Sequence, residues 1–142
     1  MPEDVACRSR RGPATSETVE AIHDDIDSLW TEAASVPETD RMAFTLAVVE
    51  AATNVVVHAV PLAETSLELR VELTAGPCQL QAKIYEIGAA PAGVSLRADH
   101  RAQELEESGR GIALIQALVS TVVFQRCDDA NVWELRREYH RG

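Results

Sequence analysis

The sequence predicts an α/β fold in two layers, with helices on one face of a mainly antiparallel sheet. Three observations lead to this fold class. Two stretches with helical spacing of apolar residues come first, two alternating strand-like stretches follow, and a further helix and a second strand pair close the chain. A helix stripe and a sheet face that are both apolar bury one another, so these elements predict a two-layer sandwich.

The first predicted helix begins at Thr15 or Ser16, with Ser16 as its N-cap, and ends near residues 34–37. Residues 1–13, which contain three arginines, are compatible with a loose arm or a short edge strand, and the pattern leaves both open. Leu29 and Trp30 suggest an exposed apolar patch that serves as an interface, although Trp30 suits the core equally well.

Residues 42–60 form the predicted central helix, which Pro61 stops. This stretch is apolar almost all round, which indicates burial on most faces. Glu50, Asn54 and His58 follow at intervals of four, so they share one face. A solvated seam is the plain interpretation, but Lys, Arg and Gln are absent between residues 43 and 60. A carboxylate and an amide one turn apart suit a site for Mg²⁺ and a nucleotide.

The predicted sheet begins with residues 66–73 and 79–87, which alternate in polarity and flank a turn at residues 74–77. About twenty residues without steady periodicity follow Gly88, as is typical of a lid or binding loop. They end at a glycine-flanked turn, residues 108–111, directly before an apolar helical run. Such a turn attracts phosphate, although an ordinary flexible turn explains it equally well. Residues 121–126 and 132–137 form the last predicted strands.

Composition limits the function. Thirteen basic against 23 acidic residues give a formal charge of −10, which opposes nucleic acid as a main partner and favours a protein with a basic face. Cys7, Cys78 and Cys127 lack C-x-x-C spacing, so we expect reduced, structural thiols rather than disulfides or a zinc site. With no long apolar run and no signal-peptide pattern, we expect a cytoplasmic protein without a membrane partner.

The order of the motifs resembles the histidine-kinase-like ATPase superfamily over about residues 14–138. The resemblance rests on three motifs: E-x-x-x-N-x-x-x-H-A from Glu50, the acidic-x-Gly of Glu86 to Gly88, and S-G-x-G at residues 108–111. Within the superfamily, the chain is most similar to the small anti-sigma factor serine kinases of bacteria. The resemblance implies a Bergerat-type sandwich over residues 14–142 that binds ATP and Mg²⁺ between helices and lid. It also implies a homodimer that sequesters a sigma factor and phosphorylates a serine of an antagonist protein.

The resemblance further assigns roles by position. Glu50 matches the carboxylate that polarises the attacking hydroxyl, and Asn54 matches the Mg²⁺ ligand. The implied nucleotide-binding residues are Asn54, Glu86, Gly88, Ser108, Gly109, Arg110, Gly111 and Ile112. His58 stands where histidine is common in the family, and we interpret it as a satisfied structural histidine at the helix end.

Three departures from the family pattern affect the adenine pocket. Glu86 stands where Asp is usual, Ala90 replaces a glycine, and residues 130–132 replace a Gly-Thr pair. A less snug adenine pocket is predicted, so a non-catalytic protein-binding regulator with weak or no ATP binding stays open as the alternative. A sensor histidine kinase with His23 as phosphoacceptor is disfavoured, because such kinases need a two-helix dimerisation domain and one helix precedes the central one.

Overall fold

The computed structural model describes residues 5–62, 66–91 and 111–140. The order of elements confirms the predicted two-layer α/β fold with a mainly antiparallel sheet. The elements are β1 (Ala6–Pro13), α1 (Ser16–Glu32), α2 (Glu38–His58), β2 (Glu68–Ala75), β3 (Gln79–Ile87), α3 (residues 111–118), β4 (Thr121–Cys127) and β5 (Ala130–Glu138). Of the predicted lid, which follows Gly88 and ends before Ser108, residues 92–107 lie outside the described residues.

The sheet has five strands in the order β1-β2-β3-β5-β4, and neighbouring strands run antiparallel. Val71 lies opposite Ile84, which lies opposite Trp133, so the alternating apolar side chains of three strands fall on one face. This face carries the helices. The register therefore follows from the period-two pattern that the sequence showed.

The core lies between the sheet and the helices. Ile22, Ile26 and Leu29 of α1 are fully buried, as are Phe44 and Val48 of α2. Burying each of these large apolar side chains contributes roughly 1.5–3 kcal/mol to folding. Since Leu29 is buried completely, the expected exposed patch around Leu29 is wrong, and Trp30 is half-buried with its ring against Phe44.

The N-terminal segment contains an edge strand, one of the two alternatives that the sequence left open. Arg10 of β1 makes a bidentate ion pair with Asp25 of α1, at 2.8 and 3.0 Å. Arg8 donates to Ser28 Oγ at 2.9 Å and pairs with Glu32. Charged side chains that point inward from an edge strand oppose the addition of a further strand, so this edge is protected.

Most element ends differ from the predictions by one or two residues, but α2 begins at Glu38, four residues before the predicted start at residue 42. The N-cap of α1 is Thr15 rather than Ser16, because the Thr15 hydroxyl accepts from the Thr18 N–H at 3.5 Å. The helix ends at Glu32, where the Ala33 N–H closes onto Leu29 O at 3.0 Å. Strand β2 continues to Ala75, so the turn begins at Gly76 instead of residue 74.

The central helix α2 is less buried than its composition predicts. Met42, Leu46 and Val57 are 60%, 53% and 61% exposed, because the sheet and α1 cover the other sides of the helix. The expectation of burial on most faces is therefore wrong for this stripe.

The three cysteines are free and exposed. Among the described residues, no helix is long and apolar enough to cross a membrane.

Candidate functional site

Gly111, the first described residue of α3, lies directly against the polar seam of α2. A Cβ placed on Gly111 would stand 2.6 Å from Glu50 Oε2, 3.0 Å from Asn54 Nδ2 and 3.2 Å from Asn54 Oδ1. Gly111 is buried, and Ile112 and Ile115 anchor its helix in the core. The structure thus brings Glu50, Asn54 and Gly111 together from distant parts of the sequence.

Glu50 and Asn54 are half-buried and project from α2 one turn apart. Neither side chain forms a hydrogen bond to another residue in the described part of the chain. They stand between buried Ala47 and Ala51 and the exposed stripe of the helix, so their polar ends reach the helix flank. A carboxylate and an amide oxygen with unused lone pairs are suited to hold a hard cation or to accept a proton.

Glu86 is buried near the end of β3, and both of its carboxylate oxygens have donors within the protein. Asn131 Nδ2 donates to Oε1 at 2.9 Å, and Trp133 Nε1 donates to Oε2 at 2.8 Å. Both donors belong to β5, where Asn131 is the residue directly opposite Glu86. The carboxylate that the resemblance assigns to adenine is therefore bonded to two side chains of the neighbouring strand β5.

A comparison with protein families decides the superfamily. The model of the histidine kinase-like ATPase domain matches residues 12–136, which is most of the chain. The chain belongs to this family. A separate search of curated proteins found no match to the chain. The predicted superfamily is confirmed, whereas the membership among anti-sigma factor serine kinases stays a prediction.

Asn131 is the centre of a polar network in this ATPase domain. Its Nδ2 also donates to Ala90 O at 2.9 Å, and its Oδ1 accepts from Arg126 Nη1 at 3.1 Å. Arg126 Nη1 donates in turn to Ala89 O at 2.6 Å. The network fixes the chain after β3 against β4 and β5.

Sequence reasoning noted the unusual residues at 130–132 but missed that Asn131 and Trp133 bind Glu86. The available signal was an amide and an indole N–H, both donors, two residues apart on a strand of the same sheet as a buried acid.

Gly88 has a φ of 82°, in the left-handed region that favours glycine. Its N–H donates to Asp129 O at 2.9 Å, and its carbonyl accepts from the Leu62 N–H at 2.8 Å. Glycine is therefore required here by the turn itself, and a nucleotide contact at Gly88 stays a prediction.

The remaining predicted residues divide into two groups. His58 is exposed at the end of α2 and forms no hydrogen bond to other described residues, so its interpretation as a satisfied structural histidine stays a prediction. The Ile112 side chain belongs to the core, and a nucleotide contact at Ile112 stays a prediction. Ser108, Gly109 and Arg110 lie outside the described residues.

The residues fit magnesium and phosphate better than they fit adenine. Glu50 and Asn54 offer oxygen atoms that bind no other described residue, and Gly111 lies so close to them that a Cβ there would stand 2.6–3.2 Å from their side-chain atoms. At the other end, the Glu86 oxygens are engaged by Asn131 and Trp133. The two halves of the predicted site thus differ in their hydrogen bonding: the Glu86 oxygens have donors among the described residues, whereas Glu50 and Asn54 have no described partner.

Proposed function

We propose that the chain is an ATP-binding regulator that sequesters a sigma factor and phosphorylates a serine of an antagonist protein. The observation that carries this proposal is the position of Gly111 against the Glu50 carboxylate and the Asn54 amide, neither of which binds another described residue. ATP, bound with Mg²⁺, supplies the phosphoryl group and the metal offsets its charge. The family assignment supports nucleotide binding.

Asn54 is the residue that would hold Mg²⁺. Its amide oxygen is a neutral hard donor, and Mg²⁺ commonly takes one or two protein oxygens while keeping waters and phosphate oxygens. Because Gly111 carries no side chain, its backbone lies beside this amide, where a Cβ would stand 3.0 Å from Asn54 Nδ2. Loss of the Asn54 oxygen should therefore weaken nucleotide binding itself.

Glu50 is the proposed base. As the bond between the serine oxygen and phosphorus forms and the bond to the leaving ADP breaks, the hydroxyl proton passes to the Glu50 carboxylate. Phosphoryl transfer depends mainly on positioning and charge neutralisation, so a carboxylate within hydrogen-bond reach is sufficient for this role. The half-buried Glu50 has no competing partner among the described residues.

One observation favours the alternative, a non-catalytic protein-binding regulator of the same fold. Glu86 would have to accept the adenine amino group while Asn131 and Trp133 already donate to its two oxygens. An adenine ring whose amino group must compete with these internal donors binds less tightly. Weak or absent ATP binding would leave the fold as a scaffold for protein partners.

Calorimetry with ATP and Mg²⁺ separates the two functions. The proposal expects saturable binding by the wild-type chain, at least about tenfold weaker binding by Asn54→Ala, and little change in Glu50→Gln. Glu50→Gln should instead lose phosphate transfer to a serine of a candidate antagonist protein. Absence of binding at millimolar nucleotide, in a sample shown to be folded by its thermal transition, would rule out the kinase and favour the scaffold.

A further inference from the structure

A surface groove lies between α1 and α2. Asp27 and Trp30 of α1 line it together with Glu38, Met42 and Leu46 of α2, and it encloses about 560 Å³. We call it the α1–α2 groove. We propose that this groove binds an amphipathic helix with basic side chains that belongs to another protein.

The wall of the groove is apolar and exposed. Met42 and Leu46 are 60% and 53% exposed and stand four residues apart, on one face of α2. Trp30 is half-buried across the groove. Apolar side chains that share a concave surface favour a partner, and two helices with a groove between them accept the apolar face of a third helix.

The rim of the groove is acidic. The Asp27 side chain is 63% exposed, and Glu38 is exposed and has no ion-pair partner in the part of the chain that the structure describes. Arg41 also lines the groove, but it donates at 2.8 and 2.6 Å to two carbonyls of the α1–α2 connection, and its guanidinium lies over the Trp30 ring. The lining therefore carries two carboxylates against one guanidinium, and its net charge is negative.

Charge complementarity selects among the occupants. A second copy in a two-fold arrangement would place the same acidic rim against itself, in a chain with a formal charge of −10. An anionic membrane surface meets the same repulsion. A basic amphipathic helix satisfies both features, because its apolar residues fill the groove while its cations reach Asp27 and Glu38.

The side chain of Met42 supplies a direct measurement. The chain contains two methionines, so protein labelled with ¹³C at the methionine methyl groups gives two signals, and Met42→Leu identifies the one from the groove. The probe is a synthetic helix with leucines on one face and lysines on the other. A peptide of the same composition, scrambled to have no apolar face, is the control. We expect a saturable shift of the Met42 signal and binding at least about tenfold tighter than that of the scrambled peptide.

Variants locate the binding surface. Leu46→Glu should weaken peptide binding by about tenfold or more. Val57→Glu, at a similarly exposed position of the same helix beyond the groove, should keep the peptide affinity within about twofold of the wild type. Asp27→Asn combined with Glu38→Gln should weaken binding and reduce its salt dependence, because exposed charges are screened by salt.

Three outcomes would overturn the proposal: equal binding of the scrambled peptide, an equal loss in Val57→Glu, or an unmoved Met42 signal. A concentration-dependent dimer that Leu46→Glu dissociates would give the groove to a second copy and overturn it as well. None of these measurements contains nucleotide, so their failure leaves the proposed ATP function untouched.

Discussion

Trp133 donates its indole N–H to Glu86 Oε2 across 2.8 Å, and both residues are buried. This bond occupies an oxygen that the family resemblance assigns to adenine. The Trp133 ring also packs edge-on against Phe124, with ring centroids 4.6 Å apart. The indole is thus positioned by its ring contact with Phe124 and by its N–H bond to Glu86, and this bond in turn fixes the carboxylate.

Replacing Trp133 by Phe should therefore lower stability while raising affinity for ATP. The variant leaves Glu86 Oε2 without its donor, at a cost of about 1–3 kcal/mol in the free energy of unfolding. The freed Glu86 oxygen can then accept a hydrogen bond from the adenine amino group. Urea unfolding and calorimetry with ATP and Mg²⁺ measure the two effects.

Trp30→Phe is the matched control for Trp133→Phe, since Trp30 makes ring contacts but no bond to Glu86. We expect the control to bind ATP like the wild type. Unchanged or weaker ATP binding in Trp133→Phe would contradict competition at Glu86.

Gly111→Ala should weaken ATP binding by about tenfold or more. The new Cβ would stand 2.6 Å from Glu50 Oε2, which forces that carboxylate to move, and 3.0 Å from the Asn54 amide. Gly76→Ala is the control, because a Cβ there meets its nearest atom at an ordinary 3.6 Å. Calorimetry on both variants checks the prediction. Equal affinities in the two would show that the phosphates do not approach Gly111.

The fold was predictable because its strands follow period-two alternation and its turns carry their own chemistry. The buried residues of β2 are the alternate positions Leu69, Val71, Leu73 and Ala75, and the turn after this strand contains Gly76. The ends were harder to predict. Thr15 and Ser16 offer the same capping hydroxyl, so the sequence alone does not choose between them.

The exposed stripe of α2 was beyond a sequence pattern. Periodicity locates a buried face only when another face is polar, and residues 42–60 are apolar nearly all round. The partners of Glu86 were equally hidden. Asn131 and Trp133 lie 45 and 47 residues away, and they reach Glu86 only through the register of β3 with β5.

Tyr85 should make the protein less stable in alkali. Burial, and then the hydrogen bond from the Tyr85 hydroxyl to Glu72 Oε1 at 3.1 Å, raise the pKa of Tyr85 above its ordinary value of 10.0. The unfolded chain therefore loses this proton first. The contribution of Tyr85 is present below about pH 10 and is lost as pH rises through the folded pKa.

Urea midpoints of the wild type and Tyr85→Phe, compared at about pH 8 and about pH 11, measure this loss. We expect the wild type to lose more stability than Tyr85→Phe between the two values. A parallel decline of the two proteins would place the alkaline sensitivity elsewhere.

Two positions on α2 separate the buried face from the exposed stripe. Phe44 is fully buried against Trp30, so Phe44→Ala should cost about 3–5 kcal/mol through lost apolar contact and the cavity left behind. Met42→Ala, two residues earlier and 60% exposed, should change stability by no more than about 0.5 kcal/mol. Chemical unfolding of the purified chain measures both. A large cost for Met42→Ala would mean that Met42 is covered in solution, either by a second copy or by a segment outside the described residues. Repeating the unfolding measurement over a range of protein concentrations would tell these two apart, because only self-association depends on concentration.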